Sequence, residues 1–304
     1  MLGETGYGNR IDPHVHILPP RRMRGLIRWL KKFAPSFVEE DLTAEEALQG
    51  LADADISTFF NLVFPLWEEE TAELNLWNRD FCSGVPGAIP FGSVHIETPD
   101  KAAETERCIV QYGFAGMKLH PYAQRFDAFA PEMRGLYEVL DHYAKPLLVH
   151  TGYDVFYGQE QDRSAMEETF RRYPHIRVVL VHSLFPEFEL ASRWLQEFPQ
   201  LYLDMTNVFS SLRVFKQGAY SGVLVGPEEF PADLQMIEDN YPAFERLFED
   251  FPERIIYGSD YPVGMGRHEQ LHEDMAFFEL PPETERRLLF TNARCLLAET
   301  GYSG

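Results

Sequence analysis

Two histidines at alternate positions stand near the start of the sequence, where residues 11–16 read IDPHVH. On an extended strand alternate side chains lie on the same face, so His14 and His16 are expected to point one way and Val15 the other. Neutral imidazole is a common ligand for zinc and similar divalent ions. The motif predicts two ligands of a metal site, and the alternative is two unrelated histidines.

Polar residues of related chemistry end several later β-rich runs. If these runs are parallel strands of one barrel, their ends meet at the same mouth, where barrel active sites lie. A single histidine at a strand end is more often a hydrogen-bonded structural residue than a ligand. Several imidazoles and a carboxylate at separate strand ends favour a metal-dependent hydrolytic site instead. The strand-end residues are His14, His16, His95, Lys118, His120, His150, His182 and Asp260.

Eight β-rich runs alternate with longer stretches of helical character. PLLVH and VVLVH are almost continuously apolar, which is typical of strands buried on both faces and favours a parallel sheet. A capping box at Thr43 and Glu46 and the pair Thr98-Pro99 predict helix starts between the runs. The eight runs are NRIDPHVH, DISTFFNLVF, GAIPFGSVHI, GFAGMKLH, KPLLVHTG, IRVVLVHS, LYLDMTN and RIIYGSD.

Strictly alternating strands and helices indicate either an open doubly wound sheet or a closed barrel. Eight strands and the lack of a glycine-rich dinucleotide motif after the first run favour closure. We therefore predict a fold of the α/β class, a distorted (β/α)8 barrel that forms one domain over residues 1–304. Insertions are expected after strand 1, in residues 17–42, and after strand 7, in residues 206–252. The second insertion is predicted to hold an active-site loop followed by two helices.

Composition narrows the classes of partner. The chain has 304 residues, is 45% hydrophobic and carries a formal charge of -21, so it can bury a core but repels nucleic acid and anionic membranes. Its three cysteines form no CxxC pair, which argues against a disulfide framework. No signal-peptide core or apolar run of membrane-spanning length is apparent, so a cytoplasmic protein with a small-molecule substrate is expected.

Seven segments in order along the chain resemble the amidohydrolase superfamily. They are IDPHVH, GMKLHP, LLVHTG, VVLVHSLFPEFE, YLDMTN, IIYGSDYP and TNARCLL. Together they are similar to the branch that contains aminocarboxymuconate-semialdehyde decarboxylase and many uncharacterised amidohydrolase-2 proteins. The resemblance spans nearly the whole chain, and it implies a metal-dependent barrel enzyme, often a homodimer.

The resemblance also implies roles for individual residues. His14, His16, His150 and Asp260 would bind a divalent metal, with zinc the favoured ion. His182 would be a further ligand or a catalytic acid or base. Asp260 would in addition act as the general base that takes a proton from the attacking water.

Lys118 has two readings under this resemblance. In other branches of the superfamily a lysine at the end of the fourth strand is carboxylated and bridges two metals, which would make Lys118 both a ligand and a catalytic residue. The alternative is an unmodified cation that pairs with a buried carboxylate or with the substrate. One metal ion is favoured, and two are expected only if Lys118 is carboxylated.

Three functions follow from these residues. The first is hydrolysis of a small amide, lactone or ester by an activated water; the second is non-oxidative decarboxylation of an aromatic or unsaturated acid. The third is a non-catalytic binding protein that keeps its metal. Arg125 is a candidate partner for a substrate carboxylate because guanidinium offers a two-pronged donor. The candidate substrate contacts are His120, Tyr122, Arg125, Tyr153 and Tyr261.

Overall fold

The computed structural model describes residues 10–31, 42–218, 231–263 and 267–302. Within these residues eight strands form one sheet in chain order, and each strand is parallel to the next. The predicted (β/α)8 barrel is confirmed, and each predicted β-rich run contains one strand. The strands are β1 (Arg10–Val15), β2 (Ile56–Leu62), β3 (Ala88–Gly92), β4 (Gly116–Leu119), β5 (Leu147–His150), β6 (Val178–Val181), β7 (Leu201–Asp204) and β8 (Ile255–Ile256).

The barrel closes where the last strand meets the first. The backbone N–H of His16 donates to the carbonyl of Tyr261 at 2.7 Å, and that of Asp260 donates to the carbonyl of His14 at 2.9 Å. These bonds follow β8, which has only two residues, and they join β1, whose register with β2 is irregular. The barrel is therefore distorted, as the sequence predicted, and the distortion lies at this seam, which the sequence did not specify.

Helices fill the connections between the strands. None of those in the described residues is long and apolar enough to cross a bilayer. The helices are α1 (Pro20–Leu30), α2 (Ala44–Asp53), α3 (Thr71–Ser83), α4 (Lys101–Glu106), α5 (Pro121–Gln124), α6 (Arg134–His142), α7 (Asp154–Tyr157), α8 (Arg163–Arg172), α9 (Phe188–Glu197), α10 (Val208–Lys216), α11 (Pro231–Asp250), α12 (His268–Ala276), α13 (Pro282–Arg286) and α14 (Asn292–Glu299).

One of the two predicted helix starts is confirmed and the other is wrong. The capping box is present, because Thr43 and Glu46 each accept the backbone N–H of the other. Helix α4 begins at Lys101 rather than at Pro99, since the carboxylate of Asp100 accepts the backbone N–H of Ala103. The hydroxyl of Thr98 instead accepts the backbone N–H of His95.

Both predicted insertions contain helices. In the first, α1 buries Met23 and Ile27 against the barrel, while residues 32–41 lie outside the described part. In the second, the two predicted helices are α10 and α11. The loop predicted ahead of them is wrong, because α10 begins at Val208, shortly after β7 ends at Asp204. Residues 219–230 of this insertion lie outside the described part.

Alternation along the strands divides the core into two layers. Leu148 of β5 and Val179 of β6 pack in the barrel interior. Their neighbours Leu147, Val149 and Val178 belong to the cluster between the sheet and the helices. Both faces of the strands are buried, which explains their nearly continuous apolar composition.

Candidate metal centre

Strand alternation directs three polar side chains into the barrel interior at the carboxyl ends of the strands. Lys118 lies between Met117 and Leu119, which both face the helix layer, so its own side chain faces inward. His150 and Asp204 each come two residues after an interior residue and take the same direction. All three are buried at the carboxyl ends of their strands, where barrel sites form.

His182 reaches the same place through an unusual turn. Val181 already faces the barrel interior, so regular alternation would send the next side chain outward. His182, Ser183 and Leu184 all have positive φ, at 61°, 54° and 57°, which turns the chain as it leaves β6. The ring centroid of His182 consequently lies 5.8 Å from that of His14.

Three of the predicted ligands converge. Nε2 of His14 lies 3.1 Å from Nε2 of His16, and Oδ1 of Asp260 lies 3.3 and 3.2 Å from these two nitrogens. They are the one group of three or more potential ligands found among the described residues, with ligand atoms within 4.8 Å of one another. The Asp260 side chain is 16% exposed against 1% for His14, so the group opens toward the barrel mouth on the carboxylate side.

Each imidazole in this group is held in its orientation by its Nδ1 atom, which lies on the side of the ring away from the shared space. Nδ1 of His16 donates to the carbonyl of Leu62 at 2.7 Å, and Nδ1 of His14 faces the carboxylate of Asp204 at 2.7 Å. Because carbonyl and carboxylate oxygens are acceptors, both rings carry a proton on Nδ1 and present the Nε2 lone pair to the shared space. Histidine ligands of metals are commonly held in this way.

The charges in this group are strongly coupled. Burial and Lys118 act to lower the pKa of His14, but the carboxylates of Asp204 and Asp260 outweigh them and raise it. Burial acts to raise the pKa of Asp260, but the imidazoles of His14 and His16 hold it well below its usual range. Burial lowers the pKa of His16. Asp260 is therefore a carboxylate at neutral pH, and a positive charge is favoured between it and the two rings.

Asp204 contacts the candidate site, although the sequence analysis did not name it. Burial acts to raise its pKa, but the neighbouring His14 outweighs that effect and lowers it. Its Oδ1 accepts the backbone N–H of Thr206 at 2.7 Å and also the Thr206 hydroxyl. A Cβ at Gly258 would lie 2.5 Å from this Oδ1, so only glycine lets the end of β8 approach so closely. Asp204 ends β7, and the strand-end rule applied to the other strands would have found it.

His150 and His182 form a neighbouring pair. Nδ1 of His182 donates to the carbonyl of Thr206 at 2.9 Å, which leaves its Nε2 as an acceptor 3.2 Å from Nδ1 of His150. Burial lowers the pKa of His182 to about 4 and holds that of His150 well below its usual range, so both are neutral at neutral pH. The His120 ring stacks on that of His150 with centroids 3.9 Å apart. The structure thus brings His120 to the site, with Nδ1 accepting the backbone N–H of Ala123 at 3.3 Å.

Lys118 is fully buried beside these groups, and its Nζ has no hydrogen-bond partner among the described residues. Burial lowers its pKa to about 8, although Asp204 and Asp260 act in the opposite direction. An unpartnered buried amine is costly, so this position favours a ligand or a modification that would satisfy it.

The donor set fits a divalent metal ion. Two imidazole Nε2 atoms and a carboxylate oxygen meet at one space, and their lone pairs repel one another unless a proton or a cation lies between them. Zinc and similar ions accept this combination of nitrogen and oxygen ligands with a position left open for water or substrate. Nε2 of His150 is a further buried atom without a hydrogen-bond partner among the residues described.

The remaining predicted residues take different places. The Tyr122 hydroxyl donates to Asp154, and the Tyr153 hydroxyl shares a hydrogen bond with Ser211 at 2.8 Å while its ring meets His182 edge-on. Arg125 is exposed at the end of α5 with a φ of 59°. The Tyr261 ring packs against His268.

His95, at the third strand, lies apart from the ligand group. Its Nδ1 accepts the backbone N–H of Glu97 at 3.3 Å, and its ring meets Phe126 edge-on. A strand-end histidine can thus belong to the loop that follows it rather than to the site.

The comparisons with known proteins agree with the barrel fold. An uncharacterised TIM-barrel protein from Bordetella bronchiseptica shares 19% identity at a TM-score of 0.63 and covers 96% of this chain and 99% of its own. A putative 2-pyrone-4,6-dicarboxylic acid hydrolase from Pseudomonas putida shares 17% identity at a TM-score of 0.63, covering 96% and 98%. A 5-carboxyvanillate decarboxylase from Novosphingobium aromaticivorans, solved with bound manganese, shares 13% identity at a TM-score of 0.65, covering 96% and 97%.

At these identities the structural likeness establishes the fold alone. No curated protein sequence matches the chain. The amidohydrolase family model matches residues 11–298, which is nearly the whole sequence. The chain therefore belongs to the amidohydrolase family.

Proposed function

We propose that this protein is a metal-dependent hydrolase that acts on an amide, lactone or ester of a small molecule. The observation that carries the proposal is the convergence of Nε2 of His14, Nε2 of His16 and Oδ1 of Asp260 on one space at the barrel mouth. These residues would hold a single divalent ion, with zinc favoured by the ligand types. His150 and His182 lie beside this group as further ligands.

A bound divalent cation supplies Lewis acidity, which polarises a substrate oxygen and makes water easier to deprotonate. Asp260 is ionised at neutral pH because its pKa lies well below its usual range, so it can accept a proton from the attacking water. The same carboxyl group can then pass that proton to the leaving group. His182, if it is not a ligand, is a neutral imidazole whose Nε2 can accept a proton, because its Nδ1 proton is donated to the carbonyl of Thr206.

Lys118 contributes charge to this chemistry. Its amine is buried near Asp204 and Asp260, where it offsets part of their negative charge. An unmodified Lys118 could also pair with an anionic group of the substrate.

Decarboxylation of an aromatic or unsaturated acid is the second candidate, and it is favoured by the rings that line the site. The Phe64 centroid lies 5.5 Å from that of His16 and 4.9 Å from that of His120. Tyr122 and Tyr157 add a parallel stacked pair next to His150. Aromatic rings arranged in this way suit a planar substrate. In addition, structural neighbours include proteins named as decarboxylases.

Turnover by the zinc-loaded protein tests these proposals. We expect a panel of lactones, amides, esters and aromatic acids to show ring opening or bond cleavage without gas release, whereas carbon dioxide release from an acid would support decarboxylation. Full zinc occupancy with no turnover would support a binding protein instead. The homodimer implied by the resemblance remains a prediction, which light scattering would test.

A further inference from the structure

The segment at the end of β7, residues 204–207, contacts three side chains of the candidate metal centre. Two of the contacts are made to imidazole rings, and the third is made to a carboxylate. The contacts are Oδ2 of Asp204 with Nδ1 of His14 at 2.7 Å, the carbonyl of Thr206 with Nδ1 of His182 at 2.9 Å, and Nδ2 of Asn207 with Oδ2 of Asp260 at 3.2 Å. Asn207, the last residue of the motif YLDMTN, is thus the residue of this segment that reaches the carboxylate.

Asn207 occupies the N-cap position of α10, but its side chain does not cap the helix. An asparagine in this position usually accepts a backbone N–H of the first turn with its side-chain oxygen. The backbone of Asn207 has a φ of 62°, in the left-handed region that asparagine tolerates better than most residues. The side-chain amide donates to Asp260, which points to a role at the metal centre rather than at the helix end.

The backbone of Asp260 is held independently of Asn207. Its N–H donates to the carbonyl of His14 at 2.9 Å, and its carbonyl accepts the N–H of Val263 at 2.6 Å. The carboxylate itself can still rotate, and its two oxygens have different neighbours. Oδ1 lies 3.3 Å from Nε2 of His14 and 3.2 Å from Nε2 of His16, whereas Oδ2 accepts the amide of Asn207. The amide therefore favours the orientation in which Oδ1 faces the two imidazoles.

We infer that Asn207 is a positioning residue that holds Oδ2 of Asp260, so that Asp260 binds the metal through Oδ1 alone. An ionised carboxylate only accepts hydrogen bonds, so the amide must present its NH2 group to it. A carboxylate can bind a cation through one oxygen or through both, and a hydrogen bond to one oxygen favours the first mode. The inference rests on the proposed function insofar as a metal ion must bind at this centre. Oδ2 keeps a further lone pair, so Asp260 can still accept a proton.

Metal binding by the full-length protein tests the inference without any turnover. Asn207→Gly removes the amide but suits the backbone, because glycine adopts positive φ readily and is accepted at an N-cap. We expect the zinc Kd, measured by chelator competition, to rise about 10- to 100-fold, which is typical for the loss of a group that orients a ligand. The matched control is Asp55→Gly, which places glycine at an exposed left-handed residue with a φ of 58° and should leave the zinc Kd unchanged.

The visible spectrum of the cobalt-substituted protein separates positioning from a general structural effect. Cobalt absorbs more weakly as its coordination number rises, so ligation by both oxygens of Asp260 in Asn207→Gly should lower the absorption. Asn207→Asp is the second variant, in case glycine loosens the start of α10. It keeps the shape of the side chain but replaces the donor with a carboxylate that repels Oδ2 toward the metal, so its cobalt absorption should also fall.

A raised zinc Kd together with a weaker cobalt absorption would support the inference. An unchanged zinc Kd in Asn207→Gly, or a raised Kd with an unchanged cobalt spectrum in both variants, would overturn the role of Asn207 while leaving the proposed function intact. Failure of the wild-type chain to take up zinc, measured first, would overturn the metal centre and this inference together.

Discussion

Two groups of histidines in this barrel differ in what their ring nitrogens contact. At the mouth, His14, His16 and His182 each have Nδ1 bound to a carboxylate or carbonyl oxygen. At the seam between β1, β8 and α12, neither nitrogen of His268 has a partner among the described residues. His272, one turn along α12, faces the guanidinium of Arg10 with Nδ1 to Nη1 at 3.0 Å.

Burial alone does not separate the two groups. It lowers the pKa of His182, His268 and His272 to about 4 in each case, so all three are neutral at neutral pH. The difference lies in orientation, because an acceptor on Nδ1 fixes the Nε2 lone pair toward a shared space. The guanidinium of Arg10 also opposes a cation at the seam. The mouth, where the Nδ1 atoms are already bound, is therefore the better candidate for a metal site than the seam.

The largest expected effect is the loss of the metal at the mouth. His14→Ala or Asp260→Asn should abolish zinc binding and activity, because each removes one of three converging ligand atoms. The barrel should remain folded, since its apolar core lies below these residues. Zinc content by elemental analysis and circular dichroism check both points. His268→Ala is the matched change at the seam and should keep its zinc; zinc retained by both mouth variants would contradict the assignment.

At the seam, His268 is expected to change how the free energy of unfolding depends on pH. The pKa of His268 is about 4 in the folded chain against an ordinary 6.5, so its contribution to stability is present above pH 6.5 and is lost as the pH falls toward 4. His268→Leu should remove this loss, which amounts to about 3 kcal/mol near pH 4 at 1.36 kcal/mol per pKa unit. Urea unfolding at pH 7 and pH 4.5 measures the difference.

The control for this prediction is His175→Leu, which changes an exposed histidine. It should leave the pH dependence of the free energy of unfolding as it is in the wild type. The same acid sensitivity in His268→Leu and in the wild type would show that the seam histidine does not carry the effect.

The sequence predicted the residues at the barrel mouth better than it predicted the residues and loops around them. Short β-rich runs, two of them almost continuously apolar, located all eight strands, and the strand ends then pointed to His14, His16 and Asp260. The same signal included His95, which packs with Glu97 and Phe126 instead. A strand end specifies the height of a residue in the barrel, but the loop that follows decides where the side chain points.

Loop geometry explains most of what was missed. Tyr157 sits on a four-residue helix, too short for a periodic signal. His182 was predicted from its strand end, but the three successive left-handed residues through which it enters the site were not, because none of them is glycine. Asp204 is different, since it follows the strand-end rule and was simply not counted among the polar residues there.

Asp204 provides a test of how much orientation contributes. Asp204→Asn keeps the shape of the side chain but replaces the carboxylate that faces Nδ1 of His14 at 2.7 Å. Loss of such a partner typically weakens metal affinity about 10- to 100-fold, and we expect a change of that size in the zinc Kd measured by chelator competition. Asp274→Asn, on α12, breaks carboxylate bonds to Ser210 and Arg213 without touching a mouth imidazole. An equal loss of zinc affinity in both variants would count against an orienting role for Asp204.

The smallest effect is expected at Lys118. The three converging ligands would hold one ion, whereas a second ion would have only His150 and His182 as donors unless Lys118 is carboxylated and supplies a third. We therefore expect one zinc per chain in the wild type and also in Lys118→Met, with unchanged or slightly higher affinity because a nearby positive charge is removed. Lys101→Met, at a partly exposed lysine bonded to the Thr98 carbonyl, is the control. A decrease from two zinc ions to one on Lys118→Met would show instead that the amine is carboxylated and that the His150 and His182 pair completes a second site.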